Sequence, residues 1–207
     1  MSIDKFGIEC QNCAMDMQQI DPKQRNILES AWEAFATYGF RKTSMDDIAK
    51  RAGMSRPAVY LHFKNKEAIL KALIDAYYAE TARAVHAALT ADGELQSKVL
   101  NAFDAQGGPA IEAMLSTPHG METLEASMNA AGDHIEAGEC LMRGVYADWL
   151  KDMAAAGLVR LAGTPQDVAR SFCSAMKGVK HTSADYAAYR SGVRQLALLF
   201  VAALSPR

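Results

Sequence analysis

The positions of apolar and polar residues along the chain predict α-helices from residue 21 onwards and no β-strand. The clearest pattern lies between Thr43 and Lys66. Apolar residues recur there at helical spacing until Gly53, which adopts a positive φ easily and so favours a helix end. Ser44 and the acid three residues later form the pattern of a capping box, and Ser55 can cap a second helix. The stretch therefore predicts two short amphipathic helices joined by a tight turn.

Start and stop signals divide the remaining chain into further helices. Asp21 and Pro22 are a typical start for a first helix that ends at Gly39, and Asn65 can cap a long fourth helix. The helices predicted from there on are 66–90, 95–103, 110–115, 121–156 with Gly132 as a candidate break, 165–179 and 184–204. This series predicts an all-α fold.

Charge is distributed unevenly over these elements. They form a tail (1–20) without a sustained helical pattern, a head (21–66) that contains the two-helix motif, and a larger helical body (67–207). The head holds nine Lys and Arg residues against five Asp and Glu residues, a net charge of +4, whereas the whole chain is at −2. A basic head on an acidic body favours local contact with DNA and a separate task for the body.

The second helix of the motif carries no acid. Val59 and Phe63, four residues apart, are predicted to point to the core. The residues left on its other sides are Arg56, Pro57, Ala58, Tyr60, Leu61 and His62. Such a helix suits a DNA groove between phosphate walls, and Lys23 and Arg25 near the start of the first helix are available for phosphate. The alternative is a helical hairpin inside an all-α core.

The segment T-S-M-D-D-I-A-K-R-A-G-M-S-R-P-A-V-Y-L-H-F-K-N-K-E-A-I-L starts at Thr43, and with the helix before it the chain resembles the N-terminal domain of TetR-family transcriptional regulators. The resemblance covers about residues 21–75. It implies a three-helix helix-turn-helix DNA-binding head and a helical effector-binding and dimerisation domain. It also implies that Thr43 and Ser44 hold a phosphate at a helix N-terminus, and that Tyr60 and Lys66 contact the DNA backbone.

The resemblance further implies which residues face the groove. These are Arg56, Pro57, Ala58, Leu61 and His62, and Ser55, the cap of their helix, belongs to the predicted interface. Arg56 is the best candidate for a guanine edge. Leu61 can make only apolar contact, for instance with a thymine methyl group, and His62 has packing without a DNA role as its alternative.

The last two predicted helices, about 165–179 and 184–204, interleave large apolar residues with small ones. The resemblance implies that this pair forms a four-helix homodimer interface. A dimer also suits the short DNA-reading helix, because a two-fold pair reads two half-sites of a palindromic operator about one helical turn apart. The alternative is an ordinary core within one chain.

The body offers candidates for an effector cavity, because methionine and aromatic side chains suit an adaptable apolar pocket. The predicted ligand-binding residues are Phe103, Met114, Met142, Tyr146, Trp149, Phe172 and Met176. Trp149 is the first choice among them, and core packing is the alternative for each.

The patterns favour a ligand-responsive transcriptional regulator, and a repressor that leaves its operator when a small apolar effector binds. One alternative is a redox-sensing regulator that uses Cys10 and Cys13, whose C-x-x-C spacing suits a thiol switch. The other is a helical interaction module that does not bind DNA.

No enzyme, cofactor or metal site is predicted. The chain lacks G-x-S-x-G, H-E-x-x-H and a phosphate-cradling glycine loop. No signal peptide precedes the head, and the longest apolar run, residues 196–204, is too short to span a bilayer. We therefore expect a cytoplasmic protein without a membrane partner.

Overall fold

Helices make up the regular structure of the computed structural model, which describes residues 21–117 and 119–205. Nine α-helices and no β-strand lie in these two ranges, which confirms the predicted all-α fold. They are α1 (Pro22–Tyr38), α2 (Met45–Arg51), α3 (Arg56–Tyr60), α4 (Lys66–Thr90), α5 (Leu95–Ser116), α6 (Gly120–Ala130), α7 (Gly132–Ala155), α8 (Pro165–Thr182) and α9 (Tyr186–Leu204).

The head helices begin and end where the sequence signals predict. Ser44 Oγ accepts a hydrogen bond from the Asp47 N–H at 3.2 Å, and the Asp47 carboxylate accepts one from the Ser44 N–H at 2.9 Å, so the capping box forms. Gly53 follows α2 with φ at +65°. Asp21 occupies the N-cap position of α1, but its side chain accepts no capping hydrogen bond there. The start of α1 therefore owes more to Pro22, whose fixed φ already suits a helix.

The head has its own small core, which the first part of α4 completes. Ile27, Phe35, Ile48, Val59 and Ile69 come from α1, α2, α3 and α4, and none of them has exposed surface. Val59 is the one buried residue of the five-residue helix α3. It therefore fixes the rotation of that helix about its axis, and with it the side chains that α3 presents to solvent.

The body core is built around an aromatic cluster shared by α5, α7, α8 and α9. The ring of Phe172 lies 5.4 Å from that of Phe103, 5.5 Å from that of Tyr146 and 4.2 Å from that of Phe200. Phe103, Tyr146 and Phe172 are fully buried. Aromatic side chains bury large areas and prefer these tilted contacts, so the cluster is the structural centre of the body.

Helix breaks in the body lie where the sequence predicts them. The sequence predicts separate helices at 95–103 and 110–115, and α5, from Leu95 to Ser116, consists of two helical segments that meet at a kink. Gly108 leaves helical geometry at this kink, with φ at +44°. The break predicted near Gly132 is confirmed, since α6 ends at Ala130 and α7 begins at Gly132.

Two helices connect the head to the body. α4 starts in the head core and continues into the body core, as the sequence predicts for a long connecting helix. α6 is the second connection: the Thr123 hydroxyl donates a hydrogen bond to the Phe35 carbonyl at 3.3 Å, and the Glu122 carboxylate lies against Gly39. The contact between α6 and α1 joins residues 88 positions apart, so no local sequence pattern reports it.

α8 and α9 pack closely against each other within one chain. Ala169 and Ala197 are fully buried, and Gly192 allows the side chain of Val179 to approach the α9 backbone. Some of the predicted small residues therefore serve this intrachain contact, whereas Ser171 on α8 stays exposed. Among the described residues, none of the helices combines the length and the hydropathy needed to cross a membrane.

Candidate nucleic-acid interface and effector cavity

α3 presents a fixed set of side chains to solvent. Its N-cap is Ser55, whose hydroxyl accepts a hydrogen bond from the Ala58 N–H at 3.3 Å. With Val59 buried, Leu61 is left 86% exposed and Tyr60 is left 42% exposed. Pro57 is also exposed. Covering a leucine this exposed removes apolar surface from water and is therefore favourable. This is the property expected of a residue that contacts a base methyl group.

Arg56 is held at the start of α3 by two neighbours. One guanidinium nitrogen lies 3.4 Å from the Tyr60 hydroxyl, the group lies over the Tyr60 ring at 5.5 Å, and another nitrogen lies 3.5 Å from the Asp46 carboxylate. Tyr60 and then Asp46 raise the pKa of Arg56, so its charge is retained. The acid-free pattern of α3 did not reveal Asp46, because this acid comes from α2.

Thr43 and Lys66, both predicted to contact DNA, also make structural contacts within the head. The Thr43 side chain is buried, and its hydroxyl donates to the Gly39 carbonyl at 2.9 Å. The Lys66 ammonium donates to the carbonyls of Phe40, Arg41 and Thr43 at 2.8, 3.0 and 3.0 Å. These carbonyls follow the end of α1 and have no helical partners, so a cation is well placed among them. Lys66 therefore clamps the loop between α1 and α2.

The other predicted DNA contacts lie around the start of α1. The His62 ring is half-buried, and its Nδ1 lies 3.8 Å from the Asp21 carboxylate, so the end of α3 meets the start of α1. Lys23 and Arg25 have exposed side chains in that first turn of α1. Ser44 is exposed, although its hydroxyl already takes part in the capping box, and Ala58 is half-buried.

A cavity of about 90 Å³ lies in the body between α4, α5, α7, α8 and α9. Its lining residues are Tyr77, Tyr78, Thr81, Gln106, Ile111, Glu139, Met142, Arg143, Cys173, Ser174, Met176, Lys177, Lys180 and Tyr189. Two of the predicted ligand-binding residues, Met142 and Met176, belong to this lining. Ten of these fourteen side chains carry a hydroxyl, an amide or a charged group, which differs from the apolar pocket that the sequence predicts.

The other predicted ligand-binding residues lie elsewhere. Phe103, Tyr146 and Phe172 form the aromatic core described above, so packing is their role in this structure. Met114 is half-buried against the body core, outside the lining. Trp149 is buried outside the lining as well, and its indole N–H has no hydrogen-bond partner among the described residues. Periodicity identified these side chains as inward-facing, but it could not separate core from cavity wall.

Burial dominates the electrostatics of the cavity. It raises the pKa of Tyr77 to about 12 and that of the Cys173 thiol to about 11, so both groups stay protonated near neutral pH. It lowers the pKa of Lys180, where the nearby Lys177 acts in the same direction. Lys177 itself is paired with Glu139 at 2.6 Å across α7 and α8.

The head matches known proteins at the level of sequence. A model of the family described as "Bacterial regulatory proteins, tetR family" matches residues 27–73. The head therefore is a TetR-family N-terminal domain over residues 27–73. This confirms the resemblance that the motif carries over about residues 21–75.

Relatives of the TetR-type head are named as transcriptional regulators, which agrees with the expectation that the chain is not an enzyme. The HTH-type transcriptional regulator EthR of Mycolicibacterium smegmatis is 46% identical over 55 residues, which is 27% of this chain and 25% of that protein. The HTH-type transcriptional regulator TtgR of Pseudomonas putida is 36% identical over 61 residues, 30% of this chain and 29% of that protein. The match thus spans about a quarter of these curated relatives' length.

Solved structures match over most of the chain. A TetR-family transcriptional regulator of Mesorhizobium loti has a TM-score of 0.70 at 19% identity, covering 89% of this chain and 97% of that one. SmeT, the repressor of the Stenotrophomonas maltophilia multidrug efflux pump SmeDEF, has a TM-score of 0.68 at 22% identity, covering 91% and 92%. At these identities the likeness shows that the TetR-type fold extends through the body.

The two cysteines that offer a thiol switch, Cys10 and Cys13, lie outside the described residues. Within the described part of the chain, no group of three or more His, Cys, Asp or Glu side chains is arranged to hold a metal ion. The polar lining of the cavity was missed in the TetR-type body because its residues alternate with core residues along α4, α7 and α8, where periodicity reports only the apolar stripe.

Proposed function

We propose that the protein is a homodimeric transcriptional repressor, which binds a palindromic operator through α3 and leaves it when a small effector occupies the body cavity. The observation that carries the proposal is the exposed surface of α3. That helix presents a guanidinium, a phenol and an almost fully exposed leucine around a single buried anchor. Its own five residues include no acid.

Contact with DNA would use the two ends of this surface differently. Arg56 can donate two hydrogen bonds to a guanine edge, while Leu61 can cover a thymine methyl group. The Asp46 carboxylate competes with DNA for Arg56, so the guanidinium must exchange one partner for another when it binds. Lys23 and Arg25 supply phosphate contacts that set the register without reading sequence.

A dimer would give such a short helix sufficient reach. α3 contacts a few base pairs, and a two-fold pair contacts two half-sites about 34–36 Å apart. The surface of α9 that does not pack against the body includes Leu199. This leucine is 59% exposed and lies in an apolar stretch of the helix. An apolar side chain of that exposure at the predicted interface supports the dimer.

Release from DNA would pass through α4. Tyr77 and Tyr78 of α4 line the cavity, and Ile69 and Leu70 of the same helix are buried in the head core. A ligand that contacts these tyrosines would therefore act on the same helix that contributes to the head core. By linkage, bound DNA lowers the affinity for the ligand by the same factor as bound ligand lowers the affinity for DNA.

The test is duplex binding as a function of salt, with the DNA that flanks the protein's own gene. We expect tight binding to one palindrome, with a slope of about −0.9 per phosphate contact in a plot of log affinity against log salt. Arg56→Ala is expected to weaken specific binding about tenfold or more. Arg83→Ala, which removes an exposed arginine of α4 paired with Glu80, is the matched control and should change little. Binding that ignores both sequence and Arg56 would contradict the proposal.

A further inference from the structure

The cavity carries an excess of positive charge. Four of its lining residues are charged: Glu139, Arg143, Lys177 and Lys180. The single carboxylate makes its short contact with Lys177, at 2.6 Å. Arg143 and Lys180 therefore remain as cations without a carboxylate of their own in the lining.

Lys180 has no close partner for its charge. None of the described residues forms a hydrogen bond or a salt bridge with its ammonium, although Glu139 is near enough to influence it. A half-buried ammonium without a partner is unfavourable, because the protein replaces only part of its hydration. A bound anion would supply the missing partner and stabilise the charged form.

Two phenols in the cavity also lack partners. Tyr77 donates to the Gln106 carbonyl at 3.3 Å, but the hydroxyls of Tyr78 and Tyr189 form no hydrogen bond with the described residues. Burial raises the pKa of both phenols, so they stay neutral and keep their O–H donors. The groups left open in this cavity are therefore donors, which calls for a ligand rich in acceptor oxygens.

Two glycines allow tyrosines of the cavity wall to pack closely against helix backbones. A Cβ atom at position 138 would overlap the ring of Tyr78, and one at position 107 would lie 2.9 Å from the ring of Tyr189. Both rings therefore pack directly against helix backbones. The space of about 90 Å³ that remains is small beside the roughly 300–1,000 Å³ typical of pockets for drug-sized ligands.

We infer that the cavity binds a small organic carboxylate, whose acid group is held by Lys180 with the Tyr78 and Tyr189 hydroxyls, and whose short apolar body rests on Met142 and Met176. This choice of effector class rests on the proposed function and replaces the apolar effector predicted from sequence. Arg143 adds to the positive potential without being required to touch the acid.

Calorimetric titration of the full chain without DNA tests the assignment. The probes are benzoate, phenylacetate and hexanoate, each beside its primary amide, which keeps the shape and loses the charge. We expect at least one acid to bind about tenfold or more tightly than its amide. Lys180→Met should weaken that acid about tenfold or more, whereas Lys151→Met, at an exposed lysine of α7 outside the cavity, should leave its affinity unchanged.

Tyr78→Phe is the second variant, because it removes one hydroxyl and no charge, and it should weaken the acid severalfold. The thermal midpoint of unliganded Lys180→Met should equal or exceed that of the wild type, since the substitution removes a partly buried charge. The assignment is overturned if the amides bind as tightly as the acids. It is also overturned if no acid binds at about 10 mM, or if Lys180→Met binds the acid like the wild type.

Because the calorimetric titration contains no DNA, its outcome is independent of the DNA-binding test of the proposed function. Acid binding that depends on Lys180, together with a failure of the DNA titration, would remove the repressor and keep the carboxylate site. Arg56-dependent DNA binding without acid binding would remove the carboxylate site and keep the DNA-binding regulator.

Discussion

Gly138 is the position where a single methyl group is expected to disturb the cavity most. An ideal Cβ built there overlaps the first ring atoms of Tyr78, Cγ and Cδ2, which lie close to the α4 backbone. Tyr78 cannot avoid the added atom by moving a distant, flexible end. It must change rotamer into the cavity, or α4 and α7 must move apart.

The magnitude follows from two opposing effects of Gly138→Ala. Replacing glycine by alanine inside a helix is favourable by about 1 kcal/mol, because alanine loses less backbone entropy. Overpacking at a closed contact is unfavourable by about 1–3 kcal/mol. The net change in the free energy of unfolding should therefore lie between about zero and a loss of 2 kcal/mol.

Gly144→Ala is the matched control, because Gly144 lies on the same helix and nothing occupies the space where its Cβ would be built. That substitution should stabilise the protein by about 1 kcal/mol. Urea unfolding followed by circular dichroism measures both, and the two variants should differ by about 1–3 kcal/mol. Binding of the small carboxylates should be lost in Gly138→Ala and kept in Gly144→Ala. Equal stabilisation by both substitutions would refute the close contact between Tyr78 and α7.

Three further predictions concern the head and the cavity. Lys66→Met should destabilise the head by about 2 kcal/mol in urea unfolding, because three loop carbonyls lose a charged donor; an unchanged midpoint would rule out the clamp. Ser44→Ala should cost about 1 kcal/mol at neutral pH. Hydrogen bonds from Ser44 lower the pKa of Asp47, so the stability they provide is present above the ordinary pKa of 3.8 and is lost as pH falls through the lowered value; acid titration of this variant should show a smaller loss. Cys173 should react with maleimide more than about tenfold slower than an exposed cysteine at neutral pH, measured by mass spectrometry of its peptide, and fast labelling would contradict its protonated state.

The head could be predicted almost entirely from sequence, because its signals are local. The capping box at Ser44, the glycine turn at Gly53 and the anchor Val59 all lie within one short stretch, and each specifies its own backbone geometry. Lys66 shows where this approach ends. Its Nζ bonds to carbonyls 23–26 residues earlier, so its role depends on a tertiary contact that no spacing rule reports.

The body was harder to predict for a related reason. Periodicity separates inward from outward positions, so it places Phe103, Phe172 and Met176 inside the body, where they are buried. It does not distinguish the predicted ligand-binding role from core packing. A cavity forms where side chains leave space between helices unfilled. Here that depends on which aromatic rings pack over which glycines. The pairing of Tyr78 with Gly138 joins α4 to α7 and could be found only in the structure.

Selection from random duplex DNA, followed by native mass spectrometry of the selected complex, tests the central claim most directly. We expect enrichment of a palindrome whose half-site centres lie about one helical turn apart, or a multiple of that distance, with an even number of chains on each duplex. Arg56→Ala should lose the enrichment at the guanine positions. Failure to enrich any sequence, or a selected complex with one chain per duplex, would contradict the account of a dimeric, operator-binding regulator.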